Sequence, residues 1–304
     1  MKISFHTIAS GSNGNASVLF TPEGALLIDD GIARKRILSA FQQLSISLDE
    51  IKGILVTHGH TDHVQGLPVL SSVLDVPVYC SPGTRQQFIA LQRNDARWLA
   101  IARQAVVNPP GSDFEIGPFS VKSLPTKHDA EDSVGYQIAY NDEMATIITD
   151  TGELAPHHLQ ALEESSIALI EMNHDVEALL TSRRPVFLKQ RIRACHMSNE
   201  KTLTSLTELV ESNIEKLYVG HLSGECNSPD MVKDEIVLWE VEQAVPWEWS
   251  VCRRDGITEK FDIDREMLKN SSASEEMIKK KKFRKRSRIG KVKTLDQFFH
   301  QHNT

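Results

Sequence analysis

The chain has 304 residues, enough for one large domain or two small ones, and 40% hydrophobic with 25% charged residues is typical of globular proteins. No apolar run is long enough to cross a bilayer, and the N-terminus lacks the apolar region of a signal peptide, which argues against a membrane protein. The four cysteines have no CxxC spacing, so neither a disulfide framework nor a zinc ribbon is predicted, and a reducing cytoplasmic compartment is expected.

Charge is divided unevenly along the chain. Residues 279–304 contain ten Lys and Arg residues and one Asp, which gives this segment a net charge of +9. Since the whole chain carries −7, the difference leaves −16 on residues 1–278. An acidic body followed by a basic tail indicates two regions that need separate explanations.

Short β-rich runs alternate with helical patterns up to about residue 265, which predicts an α/β domain over residues 1–265. The predicted strands span residues 3–8, 17–20, 25–28, 53–57, 78–80, 119–123, 135–139, 145–149, 168–171 and 216–219. The predicted helices span residues 33–44, 64–73, 82–90, 156–163, 200–212 and 230–243. Ligands in such folds collect where strands end, so polar residues at those ends are the first candidates for a site.

The densest set of polar residues is the stretch Thr57-His58-Gly59-His60-Thr61-Asp62-His63, directly after an apolar run. Packing does not explain three imidazoles and a carboxylate in one tight turn, because burying unpartnered polar groups is costly. Imidazole nitrogen and carboxylate oxygen are ligands that Zn²⁺ and Mn²⁺ accept. The stretch therefore predicts a metal site at a strand end; the alternative is a His-rich surface loop.

Four further candidates lie far apart in sequence but share one context, the end of an apolar strand. Asp29 and Asp150 directly follow predicted strands, and His128 and His221 follow strands after a short link. Any one of them alone could be an ordinary strand-end residue. Together with the His-rich stretch, they favour one composite metal site.

This set of residues resembles the metallo-β-lactamase-fold hydrolases over nearly all of residues 1–250, which implies an α/β fold, the four-layer αβ/βα sandwich of that family. The resemblance also implies two divalent metal ions, Zn²⁺ or Mn²⁺. One ion would be held by His58, His60 and His128, and the other by Asp62, His63 and His221. Asp150 would bridge them, and Asp29 would orient the His motif. All seven ligand positions carry the expected residue type, so an inactive relative is not expected.

Finer features resemble the YycJ/WalJ branch of this family, whose members are described as DNA-directed exonucleases. The matching segments are Ser10-Gly11-Ser12-Asn13-Gly14-Asn15, His128-Asp129-Ala130, Gly135-Tyr136, Asn173-His174-Asp175-Val176 and His221-Leu222-Ser223. One segment departs from the pattern, since Cys195-His196-Met197-Ser198-Asn199 stands where relatives often read His-x-His-Leu-Ser-Asn. The resemblance implies phosphodiester hydrolysis, with DNA as substrate and partner.

The implied reaction assigns catalytic roles to four residues. Two adjacent divalent ions would activate a shared water for in-line attack on phosphorus and offset the developing charge. Asp62 and Asp150 would hold that water as well as the ions. His196 or His174 would protonate the leaving alkoxide; the alternative for each is a structural hydrogen-bonding role.

Two segments are candidates for binding the phosphate backbone. The loop at residues 10–15 could offer backbone N–H groups to a phosphate, or could be an ordinary turn. Segment 183–193 holds five basic residues in an otherwise acidic body, which favours a helix along a DNA backbone over a solvated helix face. The predicted substrate-binding residues are Ser12, Asn13, Asn15, Arg183, Arg184, Lys189, Arg191, Arg193, Ser198 and Asn199.

The tail divides into two predicted parts. Residues 266–290 are predicted as a disordered basic linker, because like charges at this density repel. Residues 291–304 contain a segment similar to the sliding-clamp (PCNA) interacting motif, in which Leu295, Phe298 and Phe299 would bind the clamp. The alternative is that the two Phe residues dock on the protein's own surface. The basic run could be a nucleic-acid tether, a nuclear localisation signal or a solubilising tail.

The clamp-like segment departs from its motif at Val292, where Gln is usual, which should weaken binding. Three functions then remain open. The first is a dinuclear-metal phosphodiesterase, a DNA exonuclease of repair or replication tethered to a sliding clamp, located with the nucleoid or, in a eukaryote, in the nucleus. The second is a small-molecule phosphodiesterase for cyclic or nucleotide phosphodiesters, with the same ligands. The third is a clamp-tethered binding protein with structural metals, which two complete ligand sets count against.

Overall fold

The computed structural model describes residues 2–260. Within them the strands form two sheets, and helices cover one face of each sheet. The strands are β1 (Ser4–Ala9), β2 (Ala16–Thr21), β3 (Gly24–Ile28), β4 (Ile51–Leu55), β5 (Val78–Cys80), β6 (Val106–Val107), β7 (Asp113–Ile116), β8 (Phe119–Pro125), β9 (Val134–Tyr140), β10 (Glu143–Ile148), β11 (Ile167–Glu171), β12 (Lys216–Gly220) and β13 (Glu248–Val251). The helices are α1 (Arg34–Gln43), α2 (Thr61–Val64), α3 (Leu67–Leu74), α4 (Pro82–Leu91), α5 (Arg97–Gln104), α6 (Pro156–Glu163), α7 (Val176–Thr181), α8 (Val186–Cys195), α9 (Asn199–Leu206) and α10 (Pro229–Gln243).

The two sheets share one plan, an antiparallel part followed by a parallel part. The first has the order β1-β2-β3-β4-β5-β6, with antiparallel pairing up to β3 and parallel pairing from there on. The second has the order β13-β12-β11-β10-β9-β8-β7, with β10 to β13 parallel and β7 to β10 antiparallel. Parallel strands end at the same edge of a sheet, so residues that follow them are brought together.

Three apolar layers hold these elements together. Side chains from both sheets, such as Leu26, Leu55, Phe119 and Ile138, form the layer between the sheets. The outer face of the first sheet packs against α1, α3, α4 and α5, and that of the second against α6, α9 and α10. Each fully buried Leu, Ile or Phe contributes about 1.5–3 kcal/mol relative to exposure. The four-layer αβ/βα sandwich expected from the resemblance is confirmed.

Most predicted elements are present, and the differences have local causes. The predicted strand at 53–57 ends at Leu55, and Thr57 donates its backbone N–H to Asp29 Oδ1 at 2.8 Å. The predicted helix at 64–73 is interrupted between α2 and α3, so that α2 carries the polar motif. Strands β6, β7 and β13 were not predicted, because short strands depend on partners distant in sequence. Helices α5 and α7 were also not predicted.

The described part of the chain excludes the predicted tail. The linker at 266–290 and the clamp-like segment at 291–304, with Leu295, Phe298 and Phe299, lie outside it and stay predictions. Among residues 2–260, no helix combines the length and apolar character that crossing a membrane requires.

Candidate metal centre and cleft

The residues predicted as metal ligands meet at one edge of the two sheets, each just beyond the carboxyl end of a strand or on α2. This ligand set consists of His58, His60, Asp62, His63, His128, Asp150 and His221. Asp29, Asp150 and His221 have left-handed backbones with φ values of 60°, 54° and 54°, which non-glycine residues rarely adopt. Each such residue costs about 1–3 kcal/mol and is typical of functional sites. The strained backbone at these three residues directs their side chains toward the ligand set and lowers the stability of the fold.

One group of donors consists of three histidine nitrogens. His58 Nε2 and His60 Nδ1 are 3.1 Å apart, and His128 Nε2 is 3.2 Å from the same His60 Nδ1. A neutral imidazole has one lone pair and one N–H, so three facing nitrogens cannot all be satisfied among themselves. A cation between them would accept all three lone pairs, which fits the first predicted metal position.

A second group of donors lies beside the first. His63 Nε2 and His221 Nε2 lie 3.6 Å and 3.5 Å from Asp62 Oδ2. Asp150 lies between the groups, with Oδ2 3.3 Å from His63 Nε2 and Oδ1 3.8 Å from His128 Nε2. Asp150 Oδ2 and His221 Nε2 are buried and have no hydrogen-bond partner among the described residues. Orphaned buried donors and acceptors are rare, and a second divalent cation would satisfy both atoms.

Two buried carboxylates orient the second group of ligands. Asp29 accepts hydrogen bonds from His63 Nδ1 at 2.7 Å and from the backbone N–H and hydroxyl of Thr57. Glu171 contacts His221 Nδ1 at 2.9 Å, and the backbone N–H groups of Thr151 and Met197 donate to it at 3.2 Å. Each contact fixes which ring nitrogen faces the ligand set. The role predicted for Asp29 agrees with this geometry.

Glu171 was missing from the predicted site, although its signal was present in the sequence. Glu171 is the last residue of the apolar strand β11, a position similar to those of Asp29 after β3 and Asp150 after β10. Its side chain is fully buried. Besides His221, it contacts His196 Nδ1 at 2.7 Å. A buried carboxylate that contacts two histidines serves the site rather than the core.

The charges of the site support one another. Burial would lower the pKa of His221, but the carboxylates of Asp150, Asp62 and Glu171 outweigh it and raise the pKa to about 10. Burial would likewise lower the pKa of His63, yet the carboxylates of Asp150 and Asp29 raise it well above its usual value. Conversely, His221 and His63 hold the pKa of Asp150 low against the effect of burial. A divalent cation bound here would take the place of the protons on His63 and His221.

Comparison with protein families identifies this arrangement. The family model of the β-lactamase superfamily domain matches residues 26–221, which contain the whole ligand set. This chain is a metallo-β-lactamase-fold hydrolase. Divalent ions held by its ligand set would supply Lewis-acid activation of water and of a phosphodiester.

Two relatives of the hydrolase are named as nucleases. Exodeoxyribonuclease YycJ of Bacillus anthracis is 31% identical over 77% of this chain and 87% of its own length. Exodeoxyribonuclease WalJ of Streptococcus pneumoniae is 30% identical over 75% of this chain and 84% of its own length. Among solved structures, Zn²⁺-bound PqqB of Methylobacterium extorquens has a TM-score of 0.60 and 17% identity over 86% of this chain and 100% of that chain, a likeness of fold alone.

The ligand set opens into a small cleft of about 200 Å³. The residues lining it include Ser12, His60, Asp62, His128, Asp150, Asn173, Arg184, Leu188, Arg191, Ile192, His196, His221 and Ser223. We call Arg184, Leu188, Arg191 and Ile192 the α8 wall, since three of the four are on that helix. The hydrolase therefore has a buried floor of metal-binding donors and one basic side.

Both arginines of the α8 wall are held by carboxylates at the rim. Arg191 forms a bidentate ion pair with Asp129, and Arg184 Nε is 2.9 Å from Glu225 Oε2. A guanidinium has five N–H donors, so each arginine keeps donors for a further anion. The ion pairs orient the side chains toward the cleft without saturating them.

Lys189 requires a correction to the predicted DNA-binding set. Its side chain is buried, and its ammonium donates at 2.7 Å to the backbone carbonyls of Leu180 and Ser182, at the end of α7. Because this charge is used inside the protein, Lys189 anchors α8 and does not face a phosphate. Arg183 and Arg193 are exposed but lie outside the cleft lining.

Ser198 and Asn199, also predicted to bind substrate, have structural roles here. The hydroxyl of Ser198 accepts the backbone N–H of Lys201 and so caps α9. Asn199 is buried, and its amide exchanges hydrogen bonds with the amide of Asn227. Of the segment 195–199, only His196 reaches the cleft.

The loop at residues 10–15 uses most of its hydrogen-bonding groups internally. Asn15 accepts the backbone N–H of Gly11 at 2.8 Å and donates its own backbone N–H to the Asp62 carbonyl at 2.7 Å. Asn15 therefore ties the loop to α2 rather than binding substrate. The backbone carbonyl of Asn13 accepts a hydrogen bond from the side-chain amide of Gln65, just after α2. Of the three loop residues predicted to bind substrate, Ser12 is the one that lines the cleft.

The two predicted proton donors differ in position. His174 is buried and lies outside the cleft lining, and burial lowers its pKa to about 4, so it is neutral at pH 7. His196 lines the cleft, and its Nδ1 contacts Glu171 Oε1 at 2.7 Å. His196 is therefore the better candidate for general acid catalysis.

Proposed function

We propose that this hydrolase is a DNA exonuclease of DNA repair or replication. The observation that carries the proposal is the pairing of a complete dinuclear ligand set with a basic wall on one side of the same cleft. The body of the chain is otherwise acidic, and an acidic surface repels a polyanion except where cations are concentrated. The names of the relatives YycJ and WalJ support the same substrate class.

In this proposal, each part of the cleft acts on a different part of the substrate. Arg184 and Arg191 bind nonbridging oxygens of the phosphates, each through N–H donors that its rim carboxylate leaves unused. Ser12 approaches the substrate from the loop at 10–15. Asp62 and Asp150 accept hydrogen bonds from the attacking water, and His196 gives its Nε2 proton to the leaving oxygen while Glu171 holds the ring in place through Nδ1.

The proposal extends to the tail. The basic run at 279–288 would hold DNA without regard to sequence, and Leu295, Phe298 and Phe299 would bind a sliding clamp. Such tethering raises the effective concentration of the enzyme at DNA without new contacts in the cleft. The location that follows is the nucleoid or, in a eukaryote, the nucleus.

The test of the activity is a nuclease assay with the full chain. Labelled duplex DNA, single-stranded DNA and RNA are incubated with Mn²⁺ or Zn²⁺, beside the His60→Ala/Asp62→Ala variant. We expect stepwise shortening of DNA by the wild type only. Equal, negligible cleavage by both proteins would refute the nuclease, and hydrolysis of a small phosphodiester without DNA cleavage would favour the small-molecule alternative.

The clamp interaction needs a separate test. A peptide of residues 289–304 is titrated against a purified sliding clamp by fluorescence anisotropy, with the Phe298→Ala/Phe299→Ala peptide as control. We expect saturable binding of the wild-type peptide alone. Identical curves for the two peptides would remove the clamp from the proposal and leave the nuclease intact.

A further inference from the structure

Phe187 is the most exposed large hydrophobic side chain among residues 2–260. It is 71% exposed, and Val186 beside it is 47% exposed, whereas the other exposed large hydrophobics of the described chain are near 40%. Single exposed apolar residues are common in proteins. An aromatic ring that is 71% exposed, on a helix that lines the cleft, calls for an explanation.

The packing of α8 fixes Phe187 in this exposed position. Leu188 and Ile192 pack against Leu179 and Cys226, and the buried Lys189 ammonium bonds to carbonyls at the end of α7. These contacts set the rotation of the helix about its axis. Phe187 therefore cannot turn inward without withdrawing its neighbours from their own packing.

The same rotation places Phe187 on the side of α8 that carries Arg191. Arg191 lies one helical turn after it, on the same side of α8, and Leu188 follows it directly; both line the cleft. Arg184, three residues before it, lines the cleft as well. Phe187 itself lies outside the cleft lining, but in the chain it stands between two arginines that belong to that lining.

An exposed ring flanked by cations matches the chemistry of an unpaired nucleotide. Sites for single-stranded nucleic acid combine basic side chains that follow the backbone with aromatic rings on which bases stack. An apolar protein partner fits less well, since Phe187 and Val186 are bordered by the charges of Arg183, Arg184 and Arg191.

We propose that Phe187 stacks on an unpaired base next to the scissile phosphate, so that the strand enters the cleft single-stranded. The inference rests on the proposed nuclease function and defines its substrate as a single strand or a frayed end. A duplex end must then separate locally before cleavage, with Phe187 covering the base that has lost its partner.

The test measures binding of the full chain to a single-stranded oligonucleotide in EDTA, which prevents cleavage. The variants are Phe187→Ala, Phe187→Trp and, as a control, Leu48→Ala, an exposed apolar residue that precedes β4 at the end opposite the ligand set. We expect Phe187→Ala to weaken binding by about 5- to 150-fold and Phe187→Trp to retain it. Leu48→Ala should match the wild type.

Two further measurements distinguish stacking from other causes. The loss in Phe187→Ala should be the same at low and high salt, because stacking, unlike phosphate contact, releases no counterions. An abasic nucleotide is placed at each position of the strand in turn. At one position it should weaken binding to the wild type as much as Phe187→Ala does, and at that position it should not weaken binding to the Phe187→Ala variant any further.

The outcomes separate this inference from the nuclease proposal. If the wild type cleaves DNA while Phe187→Ala binds and cleaves equally well, the stacking role is refuted and the nuclease stands. If the wild type cleaves no DNA, the nuclease proposal itself fails. Concentration-dependent self-association that disappears in Phe187→Ala, with DNA binding unchanged, would also overturn the stacking role and assign the ring to an interface between copies.

Discussion

The ligand set and the α8 wall face each other across one cleft but are built in opposite ways. Most of the ligand set is buried, and carboxylates such as Asp29 and Glu171 fix its rings. The α8 wall is partly exposed, and its arginines are balanced by single rim carboxylates. A buried, braced set holds its geometry whatever enters the cleft, whereas a surface ion pair contributes little and can exchange partners. On the proposed function, the ligand set at the cleft floor carries the chemistry, and the α8 wall binds the substrate's phosphates.

The largest effect should come from the floor. Asp150→Asn keeps the shape of the side chain but removes the charge shared by both donor groups. We expect kcat to fall by more than about a thousandfold, because several kcal/mol of transition-state stabilisation depend on the paired ions. The measurement is steady-state cleavage of a phosphodiester together with metal content. Asp142→Asn is the matched control, an exposed Asp at the other end of β10; if it lost as much activity, the assignment would be wrong.

The carboxylate behind the floor should matter less than the floor itself. Glu171→Gln preserves the size of the side chain but weakens its contacts with His196 and His221. We expect a loss of about 10- to 100-fold in activity or metal affinity. Metal titration and kcat are measured on the same samples, with the exposed Glu215→Gln as control. An unchanged metal affinity with lower kcat would mean that Glu171 acts through His196 alone.

The sequence predicted the floor far better than the wall. His58 to His63 form one short stretch, and the remaining ligands follow apolar strands. Each ligand can therefore be predicted from its neighbours in the sequence. Asp29 and Glu171 carried the same strand-end signal, but only Asp29 also matched a family pattern. The elements missed were short strands and the helices α5 and α7, whose stability comes from packing against segments distant in sequence.

The sequence could not show which residues form the α8 wall, because a run of basic residues does not reveal which side chains face the cleft. Lys189 and Arg191 are two residues apart in one basic run, yet Lys189 is buried against α7 and Arg191 lines the cleft. Asn199 likewise looked like a substrate ligand and is buried against Asn227. Which face of a helix meets the core depends on its tertiary neighbours, and a cluster of charges leaves that open.

Removing the metal should make the stability of the protein depend on the protonation of His221 in the ligand set. In the metal-free protein the pKa of His221 is raised to about 10, above its ordinary value of 6.5. A group whose pKa is raised on folding stabilises the protein below 6.5, and this contribution is lost as pH rises to 10. We expect the Tm of EDTA-treated protein to fall over that range, while apparent metal affinity rises up to about tenfold per pH unit for each proton displaced. A pH-independent affinity would contradict this.

The wall should respond to salt where the floor does not. Arg191→Gln removes a guanidinium that lines the cleft, and we expect weaker binding of single-stranded DNA with the salt slope reduced by about 0.7. The measurement is the affinity for single-stranded DNA in EDTA over a salt series. Arg103→Gln on α5 is the control, because that helix packs on the outer face of the first sheet. Equal slopes for the two variants would remove Arg191 from the DNA surface.

The smallest effect on DNA should come from Lys189, although it lies on the same helix. Lys189→Met keeps an unbranched apolar stem but leaves the Leu180 and Ser182 carbonyls without their donor. We expect a loss of about 1–3 kcal/mol in unfolding free energy, measured by urea denaturation, with an unchanged salt slope. Stability and DNA binding would thus separate within one basic run. A reduced slope with full stability would show that Lys189 reaches the phosphate backbone after all, and that the α8 wall is wider than the cleft lining.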